Sequence, residues 1–370
     1  MSSNWKKFAA AATGSLVATS CLLSAADDDA MRNLENRVNA LESRKNCGGM
    51  VNPPARPTQK NCWGAYVTVD PLLLEAHENG LGIAVKTKNT TSFFGGHDKV
   101  KNPNFNWDWG FRVGLGLNLP HDGWDLYLNW TRFHTNAKRA VNAPQGGTLY
   151  PVAIHPGSVA GALLTADKAR YHWHLRLNEI DLELGREFFV SKWLTMRPFA
   201  GMRTAWIDQR DETTLQGLHS DPNRPNKREL NRKNNYWGLG IRGGLDTQWG
   251  LGCGWSIFAN YSASLLYGRF SVDVKQYSIN ALGVRTTNVD VGNPFRLGRA
   301  ITDFILGVRY DYMFCNERYH IGIQVGWEQQ MFYGQNQFTR FVDDTAMGAF
   351  VANQGDLTLQ GYSARVRFDF

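Results

Sequence analysis

Charge is scarce in this 370-residue chain, and long apolar runs are absent beyond its first 26 residues. Only 20% of residues are charged while 43% are hydrophobic, a balance that excludes disorder as an overall description. A membrane-spanning helix needs about 18 consecutive apolar residues. No such stretch follows residue 26, so a helical membrane protein is excluded as well. Cysteines number five, and no pair has the Cys-x-x-Cys spacing of a metal site. What the chain holds in quantity is glycine (37 residues) and aromatics (12%, with 13 tryptophans), which together with Asn and Thr lean towards strands. A membrane β-barrel stays open, because the lumen-facing half of each strand is polar and hides the barrel from hydropathy averages.

Residues 1–26 have the layout of a secretory signal: Lys6 and Lys7, a mostly apolar run from Phe8 to Leu23, and Ser24-Ala25-Ala26 ahead of Asp27-Asp28-Asp29. Its removal takes two lysines and no acid, so the net charge falls from +7 to +5. Lipidation at Cys21 is the weaker alternative, since Ala18-Thr19-Ser20 is a poor lipobox. Residues 27–46 are expected to form a short coiled-coil helix, with Met31, Leu34, Val38 and Leu41 spaced three, four and three apart. A helix below ~12–15 residues is marginal alone, and association supplies the missing burial. Arg37 and Glu42 resemble the Arg-h-x-x-h-Glu pattern of trimeric coiled coils, so a homotrimer is expected; a solvated amphipathic helix explains the same spacing. Residues 47–62, with Pro53, Pro54 and Pro57 between Cys47 and Cys62, read as a linker.

From residue 63 to the end, hydrophobicity alternates with period two. Phe105, Trp107, Trp109, Phe111, Val113, Leu115, Leu117 and Leu119 share one face, and Asp108, Arg112 and three glycines fall on the other. So long a register suits a tilted membrane strand better than a soluble sandwich strand. Similar runs cover 193–207, 235–249, 254–268, 300–314 and 319–332. In 171–188, Trp173, Leu175 and Leu177 are assigned outward, the phase slips at Asn178-Glu179, and Ile180, Leu182 and Leu184 resume; a β-bulge is expected there. Connections near 120–123, 189–192, 250–254 and 315–318 are short. Those near 76–104, 134–170, 208–234, 269–299 and 334–356 are long and polar, although alternation at Leu81, Ile83 and Val85 and at Phe270, Val272 and Val274 offers extended hairpins or added strands within 76–104 and 269–299. Short turns on one side and long loops on the other is the asymmetry of an outer-membrane barrel. The expected fold is all-β, a transmembrane antiparallel β-barrel of about 10–12 strands over residues 63–370, preceded by the short coiled-coil helix. Its last strand places Tyr362, Val366, Phe368 and Phe370 outward, an ending similar to the signal read by bacterial outer-membrane assembly machinery.

Three blocks carry a family resemblance. Trp63-Gly64-Ala65-Tyr66-Val67-Thr68-Val69-Asp70, running into Leu74-Glu75-Ala76-His77, is similar to the opening of the Legionella-type major outer membrane protein family. Leu194-Thr195-Met196-Arg197-Pro198-Phe199-Ala200-Gly201 and Asn235-Tyr236-Trp237-Gly238-Leu239-Gly240 resemble two later blocks of it. The resemblance covers most of 63–370; the family has relatives in chlamydia-like bacteria, and the resemblance implies a pore-forming barrel and carries over no catalytic residues.

The polar face is expected to line the pore: Arg112, Arg176, Arg197, Arg203, Arg242, Arg309, Arg365 and Arg367, with Asp108, Asp125, Asp246, Asp303, Asp311 and Glu328. Eight arginines against six acids suggest weak anion selectivity in a porin that passes small hydrophilic solutes or ions. Cross-strand pairing that merely keeps the lumen wet is the plainer account of the same rows. The competing function is a structural or adhesive surface protein with a plugged barrel. Cys47, Cys62, Cys253 and Cys315 all fall on the short-turn side, where an oxidising compartment would permit disulfides. His172 and His174, two apart on one strand, lack a third ligand and read as a wet lumen pair. No enzyme activity, cofactor or metal is expected. The expected partners are outer-membrane lipid and lipopolysaccharide, further copies of the chain and the assembly machinery, with no nucleic acid.

Overall fold

Alternation of large apolar with small or polar residues produces ten long strands. The computed structural model describes residues 35–36, 54–56, 64–88, 98–120, 122–155, 165–217, 225–316, 318–343, 348–352 and 355–370. The barrel strands are β1 (Ala65–Glu78), β2 (Trp107–Asn118), β3 (Trp124–Asn142), β4 (Lys168–Arg186) and β5 (Leu194–Gln216). They continue as β6 (Pro225–Gly252), β7 (Trp255–Asn280), β8 (Arg285–Phe314), β9 (Tyr319–Phe332) and β10 (Leu357–Asp369). Each pairs antiparallel with its sequence neighbour, and β10 closes on β1 with Tyr66 opposite Asp369 and Leu73 opposite Tyr362. Closure leaves the barrel section without an open edge. The antiparallel barrel expectation therefore holds, with ten barrel strands among the described residues. The helix residues Met31, Leu34, Arg37, Val38, Leu41 and Glu42 lie outside the described residues, as do Cys47 and Cys62.

The turns at one end are tight. Asp122 and Gly123 (φ 64° and 73°) and Cys253 and Gly254 (φ 52° and 79°) sit in left-handed conformations, the pair of positive φ values that matches hairpin twist. Cys315 (φ 54°) and Asn316 (φ 58°) do the same between β8 and β9. By the asymmetry of outer-membrane barrels this end faces the periplasm. The structure shows no disulfide at Cys253 or Cys315.

The outer wall divides into two zones. Lipid-facing residues end at one level in an aromatic girdle: Trp130 on β3, Trp206 on β5, Trp237 on β6, Tyr267 on β7, Trp327 on β9 and Tyr362 on β10 are all exposed. Trp206 stands opposite Trp237, and Trp327 opposite Tyr362 with ring centroids 5.1 Å apart. A second girdle marks the periplasmic surface. There Tyr319 stacks on Phe368 at 5.8 Å, and Phe368 leans on Phe370 at 6.0 Å. The outward placement of Tyr362, Val366, Phe368 and Phe370 agrees with the sequence reading.

Above the upper girdle the outward side chains turn polar, and on β4 and parts of the other strands the inward ones turn apolar, while β5 and β6 keep Gln209, Asp211, Arg232 and Asn234 buried on the inner face. This inversion corrects the assignments on β4. Trp173, Leu175 and Leu177 point into the barrel and are fully buried, while Arg176 is exposed on the outer wall with His172 and His174. No bulge interrupts the strand, whose register runs continuously from Lys168 to Gly185 against β5. The apparent phase slip marks the level at which lipid outside gives way to water. The segment 208–234 is corrected likewise, and in 269–299 the alternation at Phe270, Val272 and Val274 proves to extend a hairpin: both segments are largely strand, carrying β5 to β8 far beyond the girdle, and only residues 281–284 separate β7 from β8.

Candidate functional site: the barrel interior

Within the membrane zone, inward positions alternate charge with glycine or small polar residues, so the lumen fills with guanidinium–carboxylate pairs. Arg197 bonds Asp125 at 2.6 Å, Asp246 at 2.9 Å and Glu183 at 3.2 Å. Arg203 bonds Asp181 at 2.7 Å and Asp303 at 2.8 Å, with Glu179 at 3.7 Å. Arg242 bonds Asp181 and stands 3.4 Å from both Glu183 and Asp303. Arg365 holds Asp70 at 2.7 Å, and Arg112 bridges Asp70 to Glu328. Nearer the periplasm Arg309 pairs with Asp311 and Arg367 with Asp369, both at 2.7 Å, and His320 joins the two acids. The seven arginines, with Asp181, Glu183, Asp246, Asp303 and Glu328, line a cavity of about 120 Å³.

Room for this belt comes partly from glycine. A Cβ at Gly116 would sit 1.9 Å from the Tyr66 ring, and one at Gly114 would meet the Tyr127 hydroxyl at 2.4 Å. Tyr66 and Tyr127 stack across the vacated space with centroids 5.7 Å apart, and Tyr127 shares a 2.7 Å hydrogen bond with Thr68.

Above the belt the interior becomes an apolar core. Wall residues Leu72, Phe133, Trp173, Leu175, Leu177, Ile207, Phe270 and Phe332 pack with Leu81, Ile83, Leu149, Phe338 and Phe341 from the connecting segments. Those segments fold inward as two small sheets. One joins Ala84–Thr87 to Lys99–Lys101 and Thr148–Pro151, and the other pairs Thr339–Phe341 with Phe350–Ala352. Many polar groups are sealed among them. Asp211 accepts from Arg232 and from Tyr171, and Glu78 accepts from the Gln209 amide at 2.6 Å. Burial pushes the Glu78 carboxyl well above the ordinary carboxylate range; the Gln209 hydrogen bond opposes this and the nearby Asp211 charge adds to it.

The sequence placed Arg112, Arg197, Arg203, Arg242, Arg309, Arg365, Arg367, Asp125, Asp246, Asp303, Asp311 and Glu328 inside, and the ion pairs join all of them. Asp108 also points inward, accepting from Thr135 at 2.5 Å. Arg176 does not belong: its Nε donates to His174 on the outer wall. The sequence reading missed Asp70, Glu179, Asp181, Glu183, Asp369 and His320. Their signal was parity, because each lies two or four residues from another inward side chain on its strand. With them the paired lumen holds, among the described residues, ten carboxylates against seven arginines. The balance opposes the premise on which weak anion selectivity was expected.

Residues 55–370 match the family model described as Legionella pneumophila major outer membrane protein precursor. Among solved structures the chain is similar to the outer membrane protease OmpT from Escherichia coli, with 12% identity over 87% of this chain and 99% of that one and a TM-score of 0.38. It is similar to a major outer membrane protein from Thermus thermophilus, with 10% identity, 82% and 98% coverage and a TM-score of 0.29. A Pseudomonas aeruginosa FadL homologue gives 10% identity, 83% and 90% coverage and a TM-score of 0.27. No curated protein matches. The family match spans all ten strands, and the chain belongs to the Legionella major outer membrane protein family of the bacterial outer membrane.

Proposed function

We propose that this protein is a closed outer-membrane barrel that holds a folded cap at the cell surface, serving a structural or surface-binding role. The supporting observation is the double closure of its interior, by paired charges in the membrane zone and by an apolar core above. Magnitudes favour this reading over open diffusion. Trp173, Phe133, Phe270 and Phe332 of the wall and Phe338 of the cap packed on it are each under 2% exposed. Exposing a large apolar side chain costs about 1.5–3 kcal/mol, so freeing all five costs on the order of 10 kcal/mol. Thermal opening at that cost is negligible. Conductance measurement on purified, folded protein in planar bilayers tests the proposal: silence supports it, and stable porin-sized steps oppose it.

One observation favours a second reading, in which small ions cross a porin-like lumen when the cap shifts. The charged cavity is wide enough to hold water. Its carboxylate excess would then favour cations. Trimerisation through residues 27–46, recognition of the β10 ending by assembly machinery, contact with lipopolysaccharide and disulfide bridging stay part of the proposal. Deleting 27–46 is expected to abolish chemically crosslinked trimer while leaving a folded barrel, and undiminished trimer would oppose the helix assignment. No catalytic role, cofactor or nucleic-acid partner is proposed.

A further inference from the structure

Cations without a salt-bridge partner among the described residues cluster on the outer wall immediately above the lipid-facing belt. On β3 the outward series Leu126, Leu128, Trp130 gives way to Arg132, His134 and Lys138. On β4 it passes from Leu182 and Ile180 to Arg176 and His174, and on β5 from Trp206 to Asp208 and Arg210. Strand register brings these together. His134 stands opposite Arg176, which stands opposite Asp208; one row higher, His174 faces Arg210, which faces Lys233. Side chains directly opposite in a sheet lie about 5 Å apart, so the cations share one surface.

The positive charge there exceeds the negative. Arg176 donates its Nε to His174 Nε2 at 3.0 Å, a contact that uses a neutral imidazole. Asp208 and Glu212 stand among the cations, yet among the described residues no carboxylate reaches salt-bridge distance of Arg132, Arg176, Arg210 or Lys233. The next wall of the cap differs. There Lys227 and Arg285 share Glu229 at 2.6 and 3.0 Å, and Lys275 meets Asp290 at 3.0 Å. Partial burial holds the His174 imidazole below its ordinary range, and the charge of Arg176, then of His172, His134 and Arg210, lowers it further. The histidine thus senses a local positive field.

We propose that this patch binds the phosphorylated headgroup of an outer-leaflet glycolipid, with phosphates on Arg132, Arg176 and Arg210 and acyl chains along Leu128, Trp130 and Ile180. The vertical order of the residues argues for a lipid. Two residues of strand advance about 6.6 Å, so Arg132 sits one step above Trp130, where headgroup phosphates follow the aromatic girdle. Guanidinium groups grip phosphate bidentately, and the apolar wall directly below offers contact that a free anion cannot use. The inference is independent of whether the lumen conducts.

The test uses full-length protein in neutral detergent, the triple variant Arg132→Gln, Arg176→Gln, Arg210→Gln, and the control Lys227→Gln, Lys275→Gln. Heat-shifted gel mobility reports that each is folded. Binding of bisphosphorylated lipid A is measured by native mass spectrometry, alongside the same lipid after phosphatase treatment and in competition with millimolar inorganic phosphate. Each cation near an anionic surface contributes about fivefold, so the triple variant is expected to bind at least roughly tenfold more weakly. The control should bind as wild type does, and the dephosphorylated lipid should bind wild type as weakly as the triple variant binds lipid A. Undiminished binding by the folded triple variant overturns the site. Equal binding of dephosphorylated lipid overturns the phosphate assignment, and full displacement by inorganic phosphate reduces the patch to a simple anion site and overturns the lipid assignment.

Discussion

Trp173 is wholly enclosed inside the barrel and Ile180, seven residues along the same unbroken strand, faces lipid. Between them β4 passes the outer membrane surface, and the media on its two sides exchange character. Trp173→Ala is therefore expected to lower stability by about 3–5 kcal/mol, the usual cost of a cavity left by a buried Trp. Ile180→Ala should cost clearly less, because lipid chains fill the space it leaves. Urea unfolding of both variants in vesicles checks this, and equal losses would contradict the two-zone wall.

Arg203 holds three carboxylates, Asp181, Asp303 and Glu179, in the lumen. Removing one partner of a buried ion pair typically costs about 3–5 kcal/mol, because the other charge stays buried and unpaired. Arg203→Met is expected to fall in that range. Adding Asp303→Asn should return part of the loss, as a double-mutant cycle in the same unfolding assay would show.

Gly116 gives up its side chain to the Tyr66 ring. An alanine there places a Cβ 1.9 Å from the ring and must displace strand or tyrosine. Overpacking of this kind costs about 1–3 kcal/mol. Gly116→Ala should reduce stability by such an amount, and Tyr66→Leu in the same chain should relieve most of the added strain. A loss that persists in the double variant would point to another cause.

Glu78 supplies a pH dependence with a definite sign. Its folded carboxyl takes up protons more readily than the unfolded one, because burial disfavours the charge. Over the window above the unfolded carboxylate range, around pH 4.5 and upward, the folded state binds more protons, so stability rises as pH falls. Glu78→Gln should flatten that rise and leave the protein more stable at neutral pH. Unfolding midpoints of both forms across pH 4.5–8 measure it.

The membrane half of the barrel was legible in the sequence because one medium lies on each side. Trp237, Leu239, Ile241 and Leu245 read outward and are outward. Above the girdle the same reasoning failed, since apolarity meant lipid below and protein core above. Trp173, Leu175 and Leu177 were thus assigned to the wrong side, and Arg176 followed them into the lumen. The lumen acids Asp70, Glu179, Asp181 and Glu183 obey the same parity as the arginines that hold them. They were missed because a single charged residue between apolar neighbours carries no sign of its partner across the barrel. Of the inward-folded cap, only the alternation at Leu81, Ile83 and Val85 hinted at an added strand, and its packing inside the barrel was not legible. Leu81, Ile83, Leu149 and Phe338 belong to connections whose composition is that of polar loops, and only the closed barrel beneath gives them a core to join.

Single-channel recording of the purified protein, confirmed as folded by heat-shifted gel mobility, tests the closed barrel most directly. The account predicts a silent membrane, with at most rare small openings whose reversal potential in a salt gradient favours cations. Frequent, stable steps of porin size would contradict it, and would mean that the apolar cap does not seal the barrel.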